Sequence, residues 1–212
     1  MVQPRRPRAL LMLAAAAVSI SLSGCSVGDA PEQASPSSAP AEQAAEPTPA
    51  ASAEAAVVPT DCARLVAPEV YDAIFLGTPL NDPAVVDTYP VGVLTPTEPR
   101  ADSTPAEAVE SAAALRCVWR DPGADVTYLQ VEIAAVAPET AEAHLASLPG
   151  LGYSCAADLG GFRCQIVGTS PLYPVEESTT VFVRDEVVVT VEQANFPTTN
   201  LLAEIVGGIW AS

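Results

Sequence analysis

Apolar positions along this chain change their period several times, and each change marks an element. Asp61 stands as a cap before one helical turn at residues 62–66. Pro68 suits the first position of a helix that carries Val70 and Ile74 on one face and stops at Gly77. Residues 78–103, rich in Pro, Asp and Thr, read as an extended loop with a short edge strand at 91–94. Thr104-Pro105-Ala106-Glu107 has the form of a capping box and predicts a short helix. From Leu115 the period drops to two: Leu115, Cys117 and Trp119 face one way, and Arg116, Val118 and Arg120 the other. Asp121-Pro122-Gly123 makes a turn, and Thr127, Leu129, Val131 and Ile133 form one face of the returning strand. Pro138 opens a helix that buries Ala141, Leu145 and Leu148 and ends at Pro149-Gly150. Two strands follow around Cys155 and Cys164, then β-branched runs at 179–183 and 187–191, separated by Arg184-Asp185-Glu186, predict a long hairpin near the sheet centre. Pro197-Thr198-Thr199 starts a last helix with the stripe Leu201, Leu202, Ile205, Ile209 and Trp210. The expectation is an α+β domain, an antiparallel sheet with helices packed on one face.

The first sixty residues follow other rules. Arg5, Arg6 and Arg8 precede an apolar run at residues 9–22, which at 14 residues is too short to cross ~30 Å of hydrocarbon. This is the build of a signal peptide. Leu22-Ser23-Gly24-Cys25 resembles the lipobox of bacterial lipoproteins, in which the cysteine thiol takes diacylglycerol and becomes the first residue after cleavage. Two acyl chains, palmitate being typical, anchor stably where one would bind only reversibly. Pro4 and Pro7 beside Arg5-Arg6 speak against a twin-arginine signal. Residues 26–59 are almost all Ala, Pro, Ser, Glu and Gln and cannot build a core, so they read as a disordered stalk. The expected organisation is signal peptide 1–24, anchor and stalk 25–59, and one extracytoplasmic domain 60–212.

Charge narrows the function. Nine basic residues, all of them Arg, stand against 26 acidic ones, and loss of residues 1–24 leaves six Arg and a formal charge of −20. Without Lys there is no Schiff base and no P-loop lysine, and so acidic a chain has no means of releasing counterions from nucleic acid. The domain holds Cys62, Cys117, Cys155 and Cys164, an even number after an export signal, which points to two disulfides. Asp158-Leu159-Gly160-Gly161 would fold Cys155 across from Cys164, leaving Cys62 with Cys117. Zinc is not expected, with no C-x₂-C pair and one His.

Asp61-Cys62-Ala63-Arg64-Leu65-Val66 leading into Pro68-Glu69-Val70, then Cys117-Val118-Trp119, then a late Arg-Asp hairpin, resembles a group of actinobacterial cell-envelope lipoproteins of unknown function. The resemblance implies an exported α+β domain carrying the first disulfide, and brings no catalytic residues with it.

Catalytic patterns are sparse. His144 is the only His, and it falls at the margin of its helix's buried face, with no nucleophile elbow in the sequence; a structural His is expected. A glycosidase needs two carboxylates about 5–9 Å apart in a cleft. Here the acids fall mostly in the stalk, at turns or on helix faces. Asp121-Pro122-Gly123-Ala124-Asp125 lacks the spacing of a calcium loop and reads as a turn. Trp119 is expected to pack with the first disulfide, and is otherwise a candidate wall of a ligand pocket. The sequence thus predicts a non-catalytic, cofactor-free lipoprotein on the outer face of the cell membrane, held by diacylglyceryl-Cys25, whose domain binds an envelope protein or a small ligand. The alternatives are an exported carboxylate-dependent hydrolase and a protease inhibitor presenting loop 78–103 or the hairpin 155–164.

Overall fold

The computed structural model describes residues 55–210; the expected signal peptide, Cys25 and the expected stalk up to residue 54 lie outside the described residues. Helices α1 (Pro68–Phe75), α2 (Pro83–Val86), α3 (Pro105–Ser111), α4 (Pro138–Ser147) and α5 (Leu201–Ile209) surround strands β1 (Gly92–Val93), β2 (Ala113–Trp119), β3 (Tyr128–Ala135), β4 (Ser154–Asp158), β5 (Gly161–Thr169), β6 (Glu176–Arg184) and β7 (Val187–Ala194). Single 3₁₀ turns occur at Cys62–Arg64 and Leu148–Leu151. The seven strands form one antiparallel sheet in the order β1-β2-β3-β7-β6-β5-β4, so the β6–β7 hairpin does occupy its middle.

Local chemistry starts the elements where the sequence places them. Asp61 accepts from the Ala63 N–H. Thr104 and Glu107 form the full capping box at α3, the glutamate accepting from the Thr104 N–H at 2.7 Å. Proline sits at the first turn of α1, α2, α3 and α4, where its missing N–H deprives the helix of nothing. The last helix departs from expectation: it begins at Leu201 behind Asn200, whose φ of 58° closes the preceding loop, rather than at Pro197.

Alternation along the strands sorts the core into two layers. On one face Leu115, Cys117, Trp119, Val131, Ile133, Phe182 and Val189 meet Ile74 and Phe75 of α1 and Ile205 and Ile209 of α5. On the other, Ala134, Val181, Val183 and Val188 meet Val109 of α3 and Ala141 of α4. The helices therefore divide between both faces, where the sequence reading placed them on one. The physical reason is that β6 and β7 are β-branched at consecutive positions and need cover on both sides. The two disulfides join Cys62 to Cys117 and Cys155 to Cys164, as expected. The domain also begins slightly earlier than residue 60: the Val57 N–H donates to the Ile209 carbonyl at 2.8 Å, and Ala56 and Val58 pack on the core.

Candidate functional site

The second face of the sheet is apolar only in part. Where β2, β3, β7 and β6 run past α3 and α4, the residues facing out are Arg116, Gln130, Glu132, Thr190, Glu192 and Thr179, which line a cavity of about 310 Å³. Val109, Leu148 and Val181 close its apolar side, and His144 and Tyr153 complete the wall. A neighbouring recess of about 460 Å³ shares Glu110, Arg116, Gln130 and Glu192 and adds Tyr89, Arg120 and Tyr128. The two together make one polar groove along the sheet.

Strand register builds this cluster. Arg116 is paired with Glu132, Glu132 with Thr190, and Gln130 with Glu192. Glu132 and Glu192 are therefore diagonal neighbours on one face, a relation that places backbones about 7–8 Å apart. Arg116 sends Nε and Nη2 to the same carboxylate oxygen of Glu132, Oε2, at 2.7 and 2.6 Å. Both side chains are nearly buried, 14% and 12% exposed. Nη1 also donates to the Pro90 carbonyl at 3.4 Å, and Nη2 lies 4.0 Å from Glu110. Arg116 is first of all the buried partner of Glu132.

Glu192 has no such cation at contact distance. Burial pushes its carboxyl above the usual glutamate range, and the charge of Glu132 pushes further, against a weaker pull from Arg116. Burial raises Glu132 too, although the Arg116 hydrogen bond and charge pull it back. His144 is 6% exposed, and its Nδ1 is buried with no partner. Burial depresses its pKa, so the ring in this wall is neutral at pH 7. It reaches the cavity because α4 turns residues 141, 144, 145 and 148 toward the sheet together.

The sequence reading missed Arg116, Glu132 and Glu192 as a site and placed His144 too near the surface. The available signal was period two: Glu132 and Glu192 are acids inside strand runs, on the side opposite Val131 and Val191. Trp119, the candidate pocket wall, lies elsewhere. It is fully buried on the other face, stacked on Phe75 with centroids 4.0 Å apart, and its Nε1 donates to the Tyr71 hydroxyl at 2.9 Å. Neither cavity of the groove touches it. Cys25 lies outside the described residues. Hairpin 155–164 is paired in continuous register down to the Asp158–Gly161 pair, and so belongs to the sheet. Loop 78–103 is partly organised, by α2 and by β1 on the sheet edge.

A larger recess of about 850 Å³, lined by residues such as Ala56, Leu145, Phe162 and Val183, lies where residues 55–58 join the domain. Glu142, Arg184, Asp185 and Glu186 also border it, with Arg184 3.7 Å from Asp185 and over the Trp210 ring, but its lining is more apolar than the groove's. No group of three His, Cys, Asp or Glu converges for a metal among the described residues, and none of their helices is long and apolar enough to cross a membrane. No protein-family model, curated protein or solved structure matches the chain.

Proposed function

We propose that this chain is an exported lipoprotein, anchored through diacylglyceryl-Cys25 on the outer face of the cell membrane, whose domain binds a small polar ligand in the groove beneath α3 and α4 without transforming it. The observation that carries the ligand reading is one cavity wall holding both Glu192, a carboxyl short of a cation, and His144, a buried ring short of a partner. Unsatisfied polar groups around a preformed cavity are what a ligand's own polar atoms would complete. The lipobox and the Ala/Pro-rich stalk support the anchor, which holds the domain away from the bilayer surface.

Native mass spectrometry of the mature protein extracted from its own cell membranes tests both halves. Added mass that leaves on denaturation supports the binder, and an N-terminus at residue 25 carrying diacylglycerol supports the anchor. A bare chain starting elsewhere counts against both.

One observation favours a second reading, that of a carboxylate-dependent hydrolase: Glu132 and Glu192 share a groove and both are held toward the protonated form. The geometry weighs against it, because a glycosidase needs both carboxyl groups free to flank the scissile bond and Arg116 holds Glu132 by two contacts. Turnover of an oligosaccharide that disappears in both E132Q and E192Q would reverse this order.

A further inference from the structure

The groove's charge and shape define its ligand more narrowly. Three carboxylates, Glu110, Glu132 and Glu192, line the His144 cavity against one guanidinium, Arg116; the groove's second, Arg120, lies in the neighbouring recess, where its Nη2 donates to the Ala124 and Asp125 carbonyls. Arg116 is engaged chiefly by Glu132, with the Pro90 carbonyl at 3.4 Å and Glu110 at 4.0 Å. Glu192 stays without a cation in contact, on strand β7 beneath α4. Uncompensated charge in a half-buried site is unfavourable, and it is relieved either by uptake of a proton or by a cation brought in from outside. A metal ion does not meet the need, since the described residues offer no cluster of three ligands.

The shape selects among organic cations. Val109 and Leu148 cover the cavity from the helical layer, and Val181 adds an apolar position to the sheet floor in the row of Thr190 and Glu132; all three belong to the second core layer. At about 310 Å³ the space is at the small end of ligand pockets, which begin near 300 Å³. His144 is an independent indication that something polar belongs there: it is more than nine-tenths buried, and its Nδ1 meets no protein atom able to pair with it. A neutral imidazole offers one nitrogen lone pair, an acceptor for an N–H donor.

We infer that this cavity takes a small organic cation, a protonated primary amine on a compact apolar body, with its N–H donors at Glu192 and its hydrocarbon against Val109, Leu148 and Val181. The inference rests on reading the groove as a ligand site and assigns the ligand's class. Nothing covalent happens: the amine replaces water around Glu192 and neutralises it.

The test uses the full mature lipoprotein in detergent, with phenethylamine as the probe and 2-phenylethanol and 3-phenylpropionate as neutral and anionic counterparts. Calorimetry is expected to find the amine bound at least ~10-fold more tightly than either counterpart. Glu192→Gln, which keeps the shape and removes the charge, is expected to weaken the amine by about the same factor and leave the alcohol unchanged. Equal binding of alcohol and amine, or amine binding that survives E192Q, overturns the cation assignment while the ligand groove stands. If none of the three probes binds and the protein still melts cooperatively, the amine assignment falls; whether the groove is a ligand site is then decided by the mass carried from the membrane.

Discussion

Glu192 and His144 pull the pH dependence of stability in opposite directions. The folded-state pKa of Glu192 lies above the ordinary 4.5. The folded protein therefore holds that proton longer than the unfolded chain, and Glu192's contribution to stability declines as pH rises from about 4.5 through the folded value. His144 has a folded-state pKa below 6.5, so its contribution is complete above 6.5 and is lost as pH falls through the folded value. A single wild-type curve mixes the two, but the difference between E192Q and wild type isolates the glutamate. E192Q is expected to be the more stable protein at pH 7, with the gain vanishing below pH 4.5; a gain that does not depend on pH in urea melts would mean that Glu192 is well solvated. Arg116→Ala should behave in the contrary sense, because it strands Glu132 while both side chains are nearly buried. Removing one partner of a buried pair typically costs about 3 kcal/mol, read as a lower urea midpoint, and the loss should shrink in acid as Glu132 takes up a proton.

Among the elements, the two disulfides and the tight β5–β6 contact bear the sharpest expectations. The Cys62–Cys117 bridge closes 55 residues and ties the turn before α1 to the strand carrying Trp119, whereas Cys155–Cys164 closes nine within one hairpin. By loop entropy the first stabilises by roughly 4 kcal/mol and the second by roughly 2.5 kcal/mol, so paired Ser variants compared in urea should lose stability in that order. Gly161 begins β5 where a side chain has no room: an added Cβ would meet the Val183 carbonyl and stand 2.8 Å from the Phe182 ring. Gly161→Ala is therefore expected to cost about 1–3 kcal/mol in a thermal melt, the usual range for overpacking. The reading of these elements from sequence succeeded where the information is local. Thr104 and Glu107 are three residues apart, and Cys155 and Cys164 face each other across one turn. It failed at Pro197, a plausible helix start, because Asn200 in a left-handed conformation delays α5 until Leu201 can drop into the core.

At the scale of the whole molecule, the absence of Lys allows an unusual check on the proposed anchor. A chain cleaved before Cys25 carries no primary amine except its own N-terminus. An amine-reactive dye is expected to label the native protein at one site when that amine is free and not at all when it is acylated; labelling of an N-terminus other than residue 25 would sink the lipobox assignment. Acidity and the cysteine count are matters of composition, and the strand periodicity and the caps are properties of neighbouring residues, so the chain's one-dimensional order was enough to give them. Which face each helix covers was decided only by tertiary structure, since β-branched runs such as 187–191 show that both faces are buried without showing what buries them. The groove was decided in the same way. Arg116 meets Glu132 through β2–β3 register, Glu192 joins them only when β7, arriving much later in the chain, pairs with β3, and His144 meets them when α4 folds back across the sheet. Period two tells which residues share a strand face, but the partners across that face are set by register and by the burial of the layer above, which a one-dimensional pattern does not contain.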